Sequence, residues 1–161
     1  MVDELARFGI ESADVDIVVN SHLHFDHCGN NRLFSNAEFF VQEAELETAR
    51  RGGYTVRPWF DFDGARITPV QGDVVIIPGV SAVSTPGHTP GHQSLVVEME
   101  GARVVIAAQA AFTADEYRRD GDPDVQAHDG LQRQYVESIA RLKLLAADRV
   151  YFSHDATVVT A

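Results

Sequence analysis

The sequence predicts a mixed α/β fold, and three observations carry that prediction. Short β-branched runs alternate with helix-like segments over residues 2–50. From Gly72 onward, four strand-like runs follow one another, separated or flanked by Pro-Gly and Glu-Gly turns. Near the C-terminal end, Tyr135, Ile139, Leu142 and Leu145 fall on one stripe, the spacing of an amphipathic helix over residues 131–146.

Taken in order, residues 2–8 read as a short helix stopped by Gly9, and residues 16–19 as a buried strand. That strand runs into a histidine-rich segment ending at Gly29-Asn30-Asn31, a loop signal. Residues 38–41 read as a strand and 42–50 as a helix closed by Gly52-Gly53. Residues 54–70 show no periodicity and read as irregular, with Pro58, Trp59 and Phe60 at their centre. Strands follow at 74–77, 80–84, 94–98 and 103–107, with turns at Pro78-Gly79, Pro86-Gly87, Pro90-Gly91 and Glu100-Gly101. Residues 114–129 are polar and read as a loop or short helix. After the helix at 131–146, residues 150–152 form a last strand, and Ser153-His154-Asp155 follow it at once.

The bulk properties narrow the class. A chain of 161 residues suits one domain, residues 1–161, and buries roughly two thirds of its unfolded surface. A net charge of −11 repels a phosphate backbone and argues against nucleic acid as a partner. The single cysteine, Cys28, forbids an intrachain disulfide. No basic start with a long apolar run is present, and no apolar stretch approaches the ~20 residues that span a bilayer. These features predict a soluble, cytoplasmic protein without a membrane partner.

Seven histidines are present: His22, His24, His27, His88, His92, His128 and His154. Three of them, with Asp26, lie in the run His22-Leu23-His24-Phe25-Asp26-His27. In an extended segment His22 and His24 point to the same side, and a turn would fold Asp26 and His27 back toward them. Imidazole and carboxylate are good ligands for zinc and its neighbours. His88 and His92 lie in a loop stiffened by Pro86, Gly87, Pro90 and Gly91, a fixed frame for one ligand. His154 emerges directly from a strand end.

On these residues the chain resembles the metallo-β-lactamase superfamily. The run 22–27 resembles its HxHxDH signature, residues 84–95 its third metal motif, and Tyr151-Phe152-Ser153-His154-Asp155 its last. The run His88-Thr89-Pro90-Gly91-His92-Gln93-Ser94-Leu95 looks most like the N-acyl homoserine lactonase branch. The resemblance implies an αβ/βα sandwich with one or two ions, zinc or another divalent metal, at its edge. It implies His22, His24 and His92 as ligands of one ion and Asp26, His27 and His154 of a second. His88 would make a hydrogen bond behind the ligands, and His128 would stay off the metal. A metal-bound hydroxide would attack an ester, lactone or related acyl carbonyl, with Asp26 as the catalytic residue that orients water or passes a proton.

Three departures bear on that expectation. Gln109 stands where the family has an aspartate bridging two metals, and Phe112 stands where the lactonase branch has a tyrosine. One helix and one strand precede the first histidine motif, where the family has several strands. The sequence therefore predicts a sandwich lacking much of its N-terminal sheet, completed by a homodimer contact or by an N-terminal segment outside this sequence. Two other readings stay open: a thioester or β-lactam hydrolase on the same site, and a non-catalytic metal-binding member or fragment.

Overall fold

The structure is a computed structural model that describes residues 2–51, 53, 55–120 and 130–161. The chain divides into two compact units, Met1–Val70 and Gln71–Ala161, each with its own sheet.

The first unit opens with helix α1 (Val2–Ala6), ended by Gly9 at φ 72°, a conformation that glycine adopts without a Cβ penalty. A single 3-10 turn, Ser12–Asp14, leads to β1 (Ile17–Val19). The segment 22–27 then forms a one-turn helix, α2 (Phe25–Cys28). Strand β2 (Glu38–Gln42) pairs in parallel with β1 on one side and with β3 (Arg66–Val70) on the other. Helix α3 (Glu43–Arg50) starts directly where β2 ends, with Gln42 as its N-cap. Glu43 and Glu45 in its first turn and Arg50 in its last complement the helix dipole. Two apolar clusters hold the unit. Phe34, Ala37 and Phe39 gather Leu5, Val15, Val18, Phe62 and Ile67, while Leu23, Cys28, Val41, Leu46, Ala49 and Phe60 gather Trp59 and Ile67.

Residues 54–70 correct the sequence reading. They contain helix α4 (Arg57–Phe60) and strand β3, where irregular chain was expected. Pro58 sits at the start of α4, where its missing N–H is harmless. Pro69 lies in β3, opposite Val41, and β3 has β2 as its one strand neighbour among the described residues. An edge strand tolerates a residue with no N–H, and for the same reason proline hid the strand from a periodicity reading.

The second unit is a six-stranded sheet ordered β4-β5-β6-β7-β8-β9: β4 (Val74–Ile77), β5 (Val80–Ser84), β6 (Gln93–Met99), β7 (Ala102–Ala108), β8 (Arg149–Phe152) and β9 (Val159–Thr160). The first four form an antiparallel meander, β8 joins β7 in parallel, and β9 turns back on β8. The parallel step needs a crossover, supplied by helices α5 (Ala114–Arg118) and α6 (Gln132–Leu144). The stripe read from the sequence is the buried face of α6. Tyr135, Ile139 and Leu142 are fully buried against Val83, Val96, Val105, Val150 and Phe152, and Leu145 packs at their margin. The two-residue β9 is too short to leave a sequence pattern. No described helix is long and apolar enough to cross a membrane.

Candidate metal centre

In the first unit the histidine run is anchored at both ends. The Asn20 N–H donates to the Phe40 carbonyl at 3.1 Å, which extends the β1–β2 pairing past Val19. The Asn20 and Asn31 side chains then form a reciprocal amide pair at 3.1 and 2.9 Å. Between these anchors His22 is fully buried, His24 is half-buried as the N-cap residue of α2, and Asp26 lies exposed in the first turn of α2. The helical turn brings His27 back toward His22. Ring centroids lie 4.7 Å apart for His22 and His24, and 4.1 Å apart for His22 and His27. The Ser21 hydroxyl lies 3.2 Å from His22 Nδ1 and 3.4 Å from His27 Nδ1. An Asp26 carboxylate oxygen stands 3.4 Å from His27 Nε2. Imidazoles gathered beside a carboxylate are a donor set suited to zinc-like cations.

Beneath this cluster lies Cys28, whose Sγ–H donates to the Leu23 carbonyl at 3.3 Å. Burial pushes the thiol pKa up, against the opposing hydrogen bond from Thr55. Cys28 is thus a packing residue and a weak donor.

In the second unit, Gly87 sets the approach of the loop between β5 and β6 to α6. It adopts φ 149°, and a Cβ there would lie 2.4 Å from Tyr135 Cα. The Ser138 hydroxyl donates to the Pro86 carbonyl at 2.7 Å and pins the same loop. His92, fully buried at the far end of the loop, is held at both ring nitrogens. Ser94 Oγ–H donates to the Ala107 carbonyl at 3.0 Å, so the Thr85 hydroxyl is the donor in its 2.9 Å bond to Ser94 Oγ. Thr85 Oγ1, 2.9 Å from His92 Nδ1, therefore accepts the proton on that nitrogen. The Gln109 N–H donates to His92 Nε2 at 3.1 Å. The Thr85 carbonyl oxygen lies 3.1 Å from the same His92 Nδ1.

His88, half-buried, sits edge-on to Phe112 with centroids 5.3 Å apart, and Phe112 stacks on His154 at 5.4 Å with 16° between the planes. Phe112 thus spaces two histidines. Its backbone N–H donates to Glu116 Oε2 at 2.7 Å, and the same oxygen accepts the Tyr135 hydroxyl at 3.1 Å. The Asp155 carboxylate accepts the Ala114 and Thr157 N–H groups at 2.9 and 2.8 Å, and these bonds hold its pKa below the usual carboxylate range. Gln109 is buried at the end of β7, after Ala108 at φ 52°. Its Oε1 has no hydrogen-bond partner among the described residues. A buried amide oxygen left unbonded costs about 1–3 kcal/mol, so this atom suits a site that receives a donor or a cation. His128 lies outside the described residues.

The sequence reading missed Glu45, Asn20, Asn31, Thr85 and Ser94. Each acts through side-chain hydrogen bonds to residues 7 to 22 positions away, which only the fold brings together. A buried glutamate on a helix first turn carries no local signal that separates it from an exposed one.

The metallo-beta-lactamase superfamily pattern matches residues 1–154, and the chain belongs to that superfamily. It is similar to an N-acyl homoserine lactonase of Bacillus sp., 32% identical over 96% of this chain and 62% of that protein. It is also similar to the N-acyl homoserine lactonase AttM of Rhizobium radiobacter, 36% identical over 99% of this chain and 62% of that one. A solved N-acyl homoserine lactone hydrolase, with the product N-hexanoyl-L-homoserine bound at its catalytic metal centre, matches with a TM-score of 0.83 and 32% identity. That match covers 96% of this chain and 62% of the other. The chain thus spans somewhat less than two thirds of the length of these relatives.

Proposed function

We propose that this chain is part of a zinc-dependent hydrolase acting on a lactone or related acyl ester. The observation that carries the reading is the packed donor set His22, His24, Asp26 and His27 at the end of β1. Similarity to N-acyl homoserine lactonases supports the substrate class.

His22 and His24 of the first unit would serve one ion, and Asp26 and His27 a second. When bound, zinc lowers the pKa of its water toward neutrality and polarises a carbonyl oxygen. The chain's own residues do the rest. His92 orients the Gln109 backbone, whose N–H donates to its Nε2. Asp26, exposed beside His27, is placed to hold a water or carry a proton to the leaving oxygen. Phe112 offers an apolar wall between His88 and His154 and no hydroxyl for the substrate carbonyl. Gln109 and Phe112 favour one competing reading, a metal-binding member without turnover.

The test is metal content after dialysis, with hydrolysis of an acyl homoserine lactone, a thioester and a β-lactam compared between the wild type and His24→Ala. Bound zinc and lactone turnover that both vanish in the variant support the reading. Zinc binding with no turnover of any substrate establishes the non-catalytic alternative. No bound metal overturns both.

A further inference from the structure

We propose that Glu45 is a positioning residue for His22 and His24. The inference rests on the metal-site reading above and deepens it.

Glu45 lies in the first turn of α3 and is fully buried. A carboxylate removed from water is costly unless it is hydrogen-bonded, and an apolar side chain would pack the same place more cheaply. Its Oε1 accepts the Leu23 N–H at 2.7 Å. That N–H belongs to the peptide group joining His22 to Leu23. The next peptide group, joining Leu23 to His24, is held through its carbonyl by the Cys28 thiol at 3.3 Å. Both peptide planes between the two histidines are therefore fixed, one by a carboxylate and one by a thiol. The Leu23 side chain is buried among Leu46, Ala49, Val41 and Phe60, which fixes the third coordinate of the same residue. With the backbone on either side of Leu23 locked, the Cα–Cβ directions of His22 and His24 are set before any ion arrives. Such preorganisation is what a tight metal site needs from the residues behind its ligands.

Two substitutions separate this role from simple packing. Glu45→Gln keeps the reach and an acceptor oxygen while removing the charge. Glu45→Asp keeps the charge but is one methylene too short to reach Leu23. The first readout is the Leu23 amide proton shift of the metal-free full chain by NMR. The second is the affinity of the same chain for Co(II), followed by its visible absorption.

The expected result is a Leu23 amide that stays downfield in Glu45→Gln and moves upfield in Glu45→Asp. Co(II) affinity should stay within about threefold of wild type in Glu45→Gln and fall about 10–100-fold in Glu45→Asp. Circular dichroism establishes that both variants are folded. Wild-type behaviour in both variants, equal losses in both, or a loss confined to Glu45→Gln each overturns the positioning role. If the wild-type chain takes up no Co(II), the metal-site reading fails, and the Leu23 amide shift still decides whether Glu45 sets the loop. A variant that does not fold leaves the decision to the other, whose amide shift is expected on the side just stated.

Discussion

Replacing Gly87 with alanine tests how tightly the histidine loop of the second unit is pinned to α6. The added Cβ would sit 2.4 Å from Tyr135 Cα, 2.7 Å from its Cβ and 2.8 Å from its backbone nitrogen. The obstacle is mostly backbone in the first turn of α6, so no rotamer change relieves it. Tyr135 is fully buried, which leaves either the helix or the loop to move. Overpacking of this kind costs about 1–3 kcal/mol, and loss of the glycine conformation adds about 1 kcal/mol. Gly101 provides the control: it has φ 85° and nothing within 4 Å of a built Cβ, so Gly101→Ala carries only the conformational part. For a chain of this size 1 kcal/mol moves the melting temperature by about 2–4 °C. Gly87→Ala should therefore melt about 4–16 °C below wild type and Gly101→Ala about 2–4 °C below. Thermal unfolding of the metal-free chain by circular dichroism measures both. Equal midpoints for the two variants would refute the close-approach argument.

Other expectations follow from the same contacts. Gln109→Asp puts a carboxylate where an unbonded amide oxygen now lies, and it should raise metal stoichiometry after dialysis against a weak chelator; equal stoichiometry would count against it. Ser94→Ala removes the acceptor of the Thr85 hydroxyl and should cost about 1–3 kcal/mol in urea unfolding, while Ser94→Thr costs less. Cys28 is fully buried with a raised pKa, so iodoacetamide at pH 8 should label it slowly in the native chain and rapidly in urea; fast native labelling would contradict its burial. Asp155 has a folded pKa below its unfolded value. Its contribution to stability is therefore present above the ordinary carboxylate pKa and is lost as pH falls through the depressed folded value. Asp155→Asn should flatten that acid limb of a stability–pH profile, and an unchanged limb would rule the contribution out.

What the sequence disclosed follows from how locally each feature is encoded. Helix α6 was legible because its buried stripe repeats at helical spacing over four residues, and the meander because Pro-Gly and Glu-Gly turns bracket β-branched runs. The run 22–27 was legible as a ligand cluster because its donors are adjacent in the chain. Strand β3 was hidden by Pro69, and its place in the sheet depends on parallel pairing with β2, nearly thirty residues earlier. His88 and His92 occupy one Pro-Gly loop, so the partners of each ring could not be read from the sequence. The Thr85 hydroxyl and the Gln109 N–H reach the His92 ring only once the chain is folded. Glu45 was invisible for a similar reason, since its partner lies 22 residues upstream.

The absence of any connector between β2 and α3 limits how this part of the chain can vary in length. Gln42 is both the last strand residue and the helix N-cap, so no slack exists at the junction. One residue inserted there would turn the whole helix by about 100° about its axis. Leu46 and Ala49 would leave their cluster, and Glu45 would swing away from the Leu23 amide in the same motion. Insertions and deletions should therefore be confined to the ends of α3 and the loops beyond it, with the junction itself holding its length wherever the histidine loop is kept.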